Sequence, residues 1–156
     1  MGSANNSVDI RINVNKSVPF YSDKSRISIV LNNLVSNSIR YSNPNVTDPF
    51  VEVTVELSNS KATLVVKDNG IGIDKKFHDK IFNMFYRLSK KSEGSGLGLY
   101  IVKETVEKLQ GSFNLESEPG KGTEFTICIP NNNAGRLVLL THQPPSFLCV
   151  LSSGRR

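Results

Sequence analysis

Apolar and polar residues alternate along five stretches of this chain and recur at helical spacing in two others. Val8, Ile10, Ile12 and Val14 are separated by polar residues, the period of a half-buried strand. Asn15 to Ser22 contains Pro19 and reads as a loop. Asp23 is placed to cap a helix reaching about Tyr41, with Ile27, Val30, Leu31, Leu34, Val35 and Ile39 as its buried face. Asn43-Pro44-Asn45 ends that helix, because the residue before a proline avoids the α region. Phe50–Leu57 and Ala62–Asp68 alternate again around Ser58-Asn59-Ser60 and predict a hairpin. Asp74 could cap a short helix towards Phe82, and the polar, basic run from Asn83 to Ser95 predicts a mobile segment. Leu99, Val102, Val106 and Leu109 stripe a second helix from about Leu97 to Leu109, stopped by Gly111. Ser112–Glu118 and Thr123–Ile129 flank Pro119-Gly120-Lys121-Gly122 as a last hairpin. These elements predict an α/β two-layer sandwich: a mixed, mostly antiparallel sheet covered on one face by helices. The regular strand–helix–strand alternation of a doubly wound fold is missing.

Composition changes this picture only at the ends. The 156 residues suit one domain with a proper core. A net charge of +5 suggests a nucleic-acid partner until it is divided by segment. Arg136, Arg155 and Arg156 lie beyond Pro130, where there is no lysine or acid, so residues 1–130 carry only +2. No nucleic-acid partner is expected. Two cysteines, Cys128 and Cys149, make no disulfide framework and fit a reducing compartment. No stretch approaches the roughly 20 apolar residues of a membrane span, so no membrane contact by this piece is expected. Residues 1–7 are small and polar and read as a loose or cloning-derived start, and residues 8–130 as the functional domain. After Pro130, short apolar runs without amphipathic period surround Pro144-Pro145, and 131–156 are expected to be a non-native or disordered tail.

Three features carry candidate chemistry. Asp68 ends a β-rich run and is followed by Gly70 and Gly72. A carboxylate there can accept from a ligand amino group, and glycines let a flat ring approach without meeting a Cβ. Taken alone, the same D-x-G-x-G pattern also describes a solvated turn. On the first helix Asn33, Asn37, Arg40 and Tyr41 fall within an arc of about 100°, away from the apolar stripe. Asparagine is a poor helix former, so these amides invite a cleft-facing role, although surface filler is the plainer account. Gly94-Ser95-Gly96-Leu97-Gly98-Leu99 opens the second helix and offers backbone N–H groups to an anion. A hinge or a tight helix start would leave the same glycines. No strand leads into this run and no Gly-Lys-Ser/Thr follows, which excludes dinucleotide and P-loop fingerprints.

In this order the features resemble the catalytic ATP-binding domain of sensor histidine kinases, the Bergerat fold, from Val8 to about Pro130. Asn33-Leu34-Val35-Ser36-Asn37-Ser38-Ile39-Arg40-Tyr41 resembles the family's N box, and Asp68-Asn69-Gly70-Ile71-Gly72-Ile73 its G1 box. Ile81-Phe82-Asn83-Met84-Phe85-Tyr86-Arg87 is similar to the F box, Gly94 to Leu99 to the G2 box, and Ser117 to Thr123 to the last hairpin. The resemblance implies ATP and Mg2+ as cofactors. Asp68, Gly70, Ile71, Gly72, Ile73 and Thr123 would surround the adenine, with Tyr41 stacked on it. Asn37 would be the magnesium ligand, with Asn33 beside it. Arg40, Arg87 and Lys90, with Lys91 as a further helper, would neutralise phosphates cradled by Gly94, Ser95, Gly96, Leu97, Gly98 and Leu99. Phe82 and Phe85 are expected in the core, anchoring the lid.

In related hydrolases of the superfamily a glutamate four residues before the metal asparagine activates water. Asn33 holds that place here, and an amide cannot take a proton at neutral pH. Transfer to a positioned nucleophile needs mainly alignment and charge neutralisation. The resemblance therefore implies a protein histidine kinase that passes the γ-phosphoryl to a histidine on a separate dimerisation domain, and onward to a response regulator receiver domain. Asn37, Arg40 and Arg87 are the implied catalytic residues. His78 and His142 lie in no His-Glu motif, so this chain reads as the ATP-binding part of a larger protein, located in the bacterial cytoplasm and inactive alone. Two alternatives stay open: an ATP hydrolase of the superfamily, and a regulatory nucleotide-binding module without turnover.

Overall fold

The computed structural model describes residues 7–15, 18–87 and 95–132. The expectations for Met1 to Asn6, Lys90, Lys91, Gly94, His142 and the tail from Asn133 lie outside these residues. Among the described residues the order is β1 (Asp9–Asn15), α1 (Lys24–Arg40), β2 (Phe50–Leu57), β3 (Lys61–Asp68), a 3-10 turn (Lys75–Phe77), α2 (Gly98–Lys108), β4 (Ser112–Glu118) and β5 (Gly122–Pro130). The strands form one sheet in the order β1-β2-β3-β5-β4. β1 and β2 are parallel, with α1 in the crossover between them, and every other pair is antiparallel.

Alternation decides which face is covered. Val51, Val53, Val55 and Leu57 of β2, Ala62, Leu64 and Val66 of β3, and Phe125, Ile127 and Ile129 of β5 are buried. They meet Ile27, Val30, Leu31, Leu34 and Val35 of α1 and Val102 and Val106 of α2 in one core. Each such aliphatic side chain removed from water contributes about 1.5–3 kcal/mol. The alternate residues form the other face, where Lys67 pairs with Glu124 at 3.0 Å and its amine is held above the ordinary lysine range by that carboxylate.

Asp23 caps α1 as expected, its carboxylate accepting from the Arg26 N–H at 3.1 Å. Asp23→Ala is expected to cost about 1 kcal/mol, read as a melting temperature lower by a few degrees. Ile39 departs from expectation: it is exposed, and Ser38 is buried instead. Ser38 continues the row Ile27, Leu31, Leu34 at i+4, whereas Ile39 lies 100° further round the helix. The helix expected after Asp74 is only a 3-10 turn. Asp74 does cap it, accepting from Lys76 N–H at 3.1 Å, but so short a segment cannot propagate helix without packing support. The Asp74 carboxyl is held below the usual range by hydrogen bonds from the Lys76 side chain and backbone. A depressed carboxylate stabilises at neutral pH and loses that contribution only as pH falls through its folded value.

The hydrogen bonds of the domain continue past Pro130. Asn131 donates its backbone N–H to Ser60 and its side-chain amide to Pro19 O, and accepts from Tyr21 N–H at 2.9 Å. Asn131→Ala is expected to lower the melting temperature by several degrees, since it removes both side-chain bonds to the loop before α1.

Candidate functional site

Sheet order sets the geometry of the site. Because β5 lies between β3 and β4, the last residue of β3 stands opposite the second residue of β5, Asp68 against Thr123. Asp68 Oδ1 accepts from Thr123 N–H at 3.1 Å and from Gly70 N–H at 2.9 Å. Its Oδ2 carries no hydrogen bond among the described residues. No buried side-chain oxygen there is left without a partner, so Oδ2 must open onto the adjoining cavity. Asn69 points away, accepting from Phe50 N–H and donating to Asp48 O, both at 2.9 Å, and so anchors the loop to the start of β2.

The loop's glycines are packed to their limit. A Cβ on Gly70 would lie 2.5 Å from Tyr41 O, the same carbonyl that accepts from Ile71 N–H at 3.0 Å. Gly72 has φ +69°, and its Cβ would fall 1.9 Å from Glu118 O. The loop is thus clamped between the end of α1 and the β4–β5 hairpin, and Gly120 N–H donates to Ile71 O at 2.7 Å. Ile73 is held on both sides: its N–H donates to Ser117 Oγ at 2.8 Å, and its carbonyl accepts from His78 Nε2 at 3.1 Å.

Loop, sheet end and helices enclose a cavity of about 310 Å³, the size of small-ligand sites. Asp68, Ile71, Gly72, Ile73 and Thr123 line one part of it. Asn33, Asn37, Arg40 and Tyr41 line it from α1, and Ser95, Gly96, Leu97, Gly98 and Leu99 from the start of α2. Gly98 sits against α1, where a Cβ would be 3.1 Å from Asn33 Oδ1 and 3.6 Å from Asn37 Nδ2. The Asn33 amide donates back to Ile29 O at 2.8 Å. The Asn37 side chain has no hydrogen bond among the described residues. Leu97, the residue before α2, provides no side-chain cap, so the first N–H groups of the helix stay available to an anion. Among the described residues Arg40 and Arg87 put two cations on the lining, and Asp68 is its one carboxylate.

Of the residues expected here, Gly70 supports the loop from behind, and Lys90 and Gly94 lie outside the described residues. Phe82 packs on Phe113 with ring centroids 4.7 Å apart, as expected of a core residue. Phe85 does not: it is 66% exposed. Its φ is +62°, and a Cβ added to Gly96 would lie 2.8 Å from its carbonyl carbon. Sequence reasoning missed Ser36, Ser38, Ile81, Tyr86, Ile101 and Phe125 on the lining. It reached Ser117 only as the start of a hairpin and His78 only as a surface residue. Phe125 could have been found, because it continues the period-two alternation from Thr123 on the same strand.

Residues 22–133 match the family described as histidine kinase-, DNA gyrase B- and HSP90-like ATPase. A methanogenesis regulatory histidine kinase, FilI of Methanothrix harundinacea, is 38% identical over 108 residues, 69% of this chain and 12% of that protein. The chain therefore spans only about an eighth of that relative. The mycobacterial sensor histidine kinase MprB has the same fold with a TM-score of 0.66 and 27% identity, over 80% of this chain and 83% of that one. Full-length ShkA, solved with AMPPNP, is similar in fold alone (TM-score 0.69, 24% identity, 85% of this chain and 27% of that one). This chain belongs to the histidine kinase-, DNA gyrase B- and HSP90-like ATPase family, among the ATP-binding catalytic domains of histidine kinases.

Proposed function

We propose that this domain binds Mg-ATP and passes the γ-phosphoryl group to a histidine on a separate dimerisation domain. The observation that carries this reading is what one cavity brings together: an outward-facing carboxylate oxygen on Asp68, the uncapped N-terminus of α2, and Arg40 and Arg87 on the same lining. An adenine amino group suits the first, and a polyanionic phosphate chain suits the second. Tyr41 offers a ring for the base to stack on. The AMPPNP named with ShkA supports a nucleotide of this kind.

The donor set also fits magnesium. Among the described residues no cluster of three His, Cys, Asp or Glu could hold a metal alone. Magnesium keeps most of its shell from water and phosphates, so the unpaired amide of Asn37 would supply the protein's share. Bound there, the ion would neutralise phosphate charge. Asn33 stands where superfamily hydrolases hold their base, and its amide is committed to Ile29 O. Activation of water has no base at that position, whereas transfer to an imidazole needs mainly alignment and charge neutralisation. From the histidine, the phosphoryl group would move to a response regulator receiver domain. We place the reaction on the cytoplasmic side; among the described residues no helix is long and apolar enough to cross a membrane.

Calorimetry with ATP tests the binding. Chelating magnesium is expected to weaken it, and Asn37→Ala to abolish that magnesium dependence; equal heats in all cases would refute the metal assignment. Labelled ATP mixed with a histidine-bearing dimerisation domain tests the transfer. Label appearing on the partner is expected, and phosphate released to water at the same rate without the partner would contradict it.

A further inference from the structure

We infer that Ser117, which lies behind the cavity wall rather than on it, sets the hydrogen-bonding polarity of the Asp68 end so that Thr123 can only accept there. Ser117 Oγ has three neighbours. It accepts from Ile73 N–H at 2.8 Å, lies 2.9 Å from Gly122 O, and lies 2.9 Å from Thr123 Oγ1. A hydroxyl owns one hydrogen. A carbonyl can only accept, so the Ser117 hydrogen goes to Gly122 O, and Thr123 then donates its own hydrogen to Ser117. Every hydrogen is used in this arrangement. In the reverse one, Gly122 O loses its hydroxyl partner and the Thr123 hydrogen meets no protein acceptor among the described residues.

The consequence is chemical selectivity. Thr123 is buried and lines the cavity, and with its hydrogen turned back to Ser117 it presents lone pairs alone. The second base-facing group is Asp68 Oδ2, which also only accepts. The two together form an edge that receives amino groups and rejects carbonyls. A free threonine hydroxyl could rotate and donate to a carbonyl, which would weaken the discrimination. Ser117 is thus a positioning residue for specificity, and it acts through Thr123 without touching the ligand. Its backing comes from the hairpin: Ser117 and Thr123 are register partners, and Gly122, at φ +101°, lies so close to Asp68 O that a Cβ would be 2.0 Å from it.

The inference rests on nucleotide binding as proposed above, and the test keeps the two apart. Dissociation constants are measured for ATP and for inosine triphosphate, which carries a carbonyl where ATP has its amino group. Measurements use the wild type, Ser117→Ala and Ser117→Thr. The wild type is expected to prefer ATP, Ser117→Ala to narrow that preference by about tenfold, and Ser117→Thr to restore it. A purely structural role would weaken both nucleotides equally, so an unchanged ratio in Ser117→Ala overturns the inference. If that variant does not fold, Ser117→Cys, close in shape and a poor acceptor, is read in the same way. A wild type that binds neither nucleotide refutes the nucleotide assignment, and this inference with it.

Discussion

Asp68→Asn is expected to lower ATP affinity about a hundredfold, roughly 3 kcal/mol, with little change in melting temperature. The substitution is close to isosteric, and the fold itself decides how the new amide sits. Gly70 and Thr123 both aim N–H groups at the Oδ1 position, at 2.9 and 3.1 Å, so the amide oxygen must take that place. The amide NH2 then replaces Oδ2 at the cavity. A donor faces the ligand's amino group where an acceptor stood, and the loop keeps both of its backbone bonds. Loss of a charge-assisted bond and the new donor–donor contact act in the same direction. Calorimetry and a thermal melt on the same sample separate binding from stability. Unchanged affinity in this variant would remove Asp68 from the site.

Gly72→Ala should unfold the domain far more readily, by about 3 kcal/mol or more, a fall of roughly 10 °C in melting temperature. Two costs coincide at this position. A non-glycine residue at φ +69° costs about 1–2 kcal/mol by itself. The added Cβ would also stand 1.9 Å from the Glu118 carbonyl oxygen, a backbone atom that cannot rotate aside. Gly120 gives the control. Its φ is +76°, but a Cβ there meets nothing within 4 Å. Gly120→Ala should therefore cost only the conformational part, about 1–2 kcal/mol. If the two alanine variants melt together, collision with the hairpin is not what makes Gly72 necessary.

Much of this architecture is legible in the sequence. Val51, Val53, Val55 and Leu57 alternate because one face of β2 is covered, and such alternation is visible in a string of letters. The Asp23 cap and the helical spacing of Ile27, Val30, Leu31 and Leu34 are equally local. What stayed hidden depends on distant partners. Nothing in the letters of β5 says that it enters between β3 and β4, or that β1 runs parallel to β2. Phe85 takes a positive φ and is exposed, which composition does not report. Ser117 is legible as a hairpin residue, but its bond to Ile73 N–H spans 44 positions. The polar face of α1 shows the intermediate case. Helical spacing brings Asn33, Asn37 and Arg40 to one side, but only the packing of Gly98 against the two amides brings α2 to that side.

The insertion of β5 also has a consequence for the order of assembly. Asp68 and Thr123 are 55 positions apart, and the carboxylate is oriented by a backbone N–H supplied by the later strand. A growing chain that has made β3 holds the acidic side chain without its second donor, and without the hairpin that clamps Gly72. Ligand recognition therefore cannot begin until almost the whole domain has been synthesised and its last strand has slotted in. Any stabilisation from ligand goes to the finished fold and none to its precursors. Capture on an immobilised nucleotide would then report completion of folding, and chains ending before Gly122 should pass through unretained.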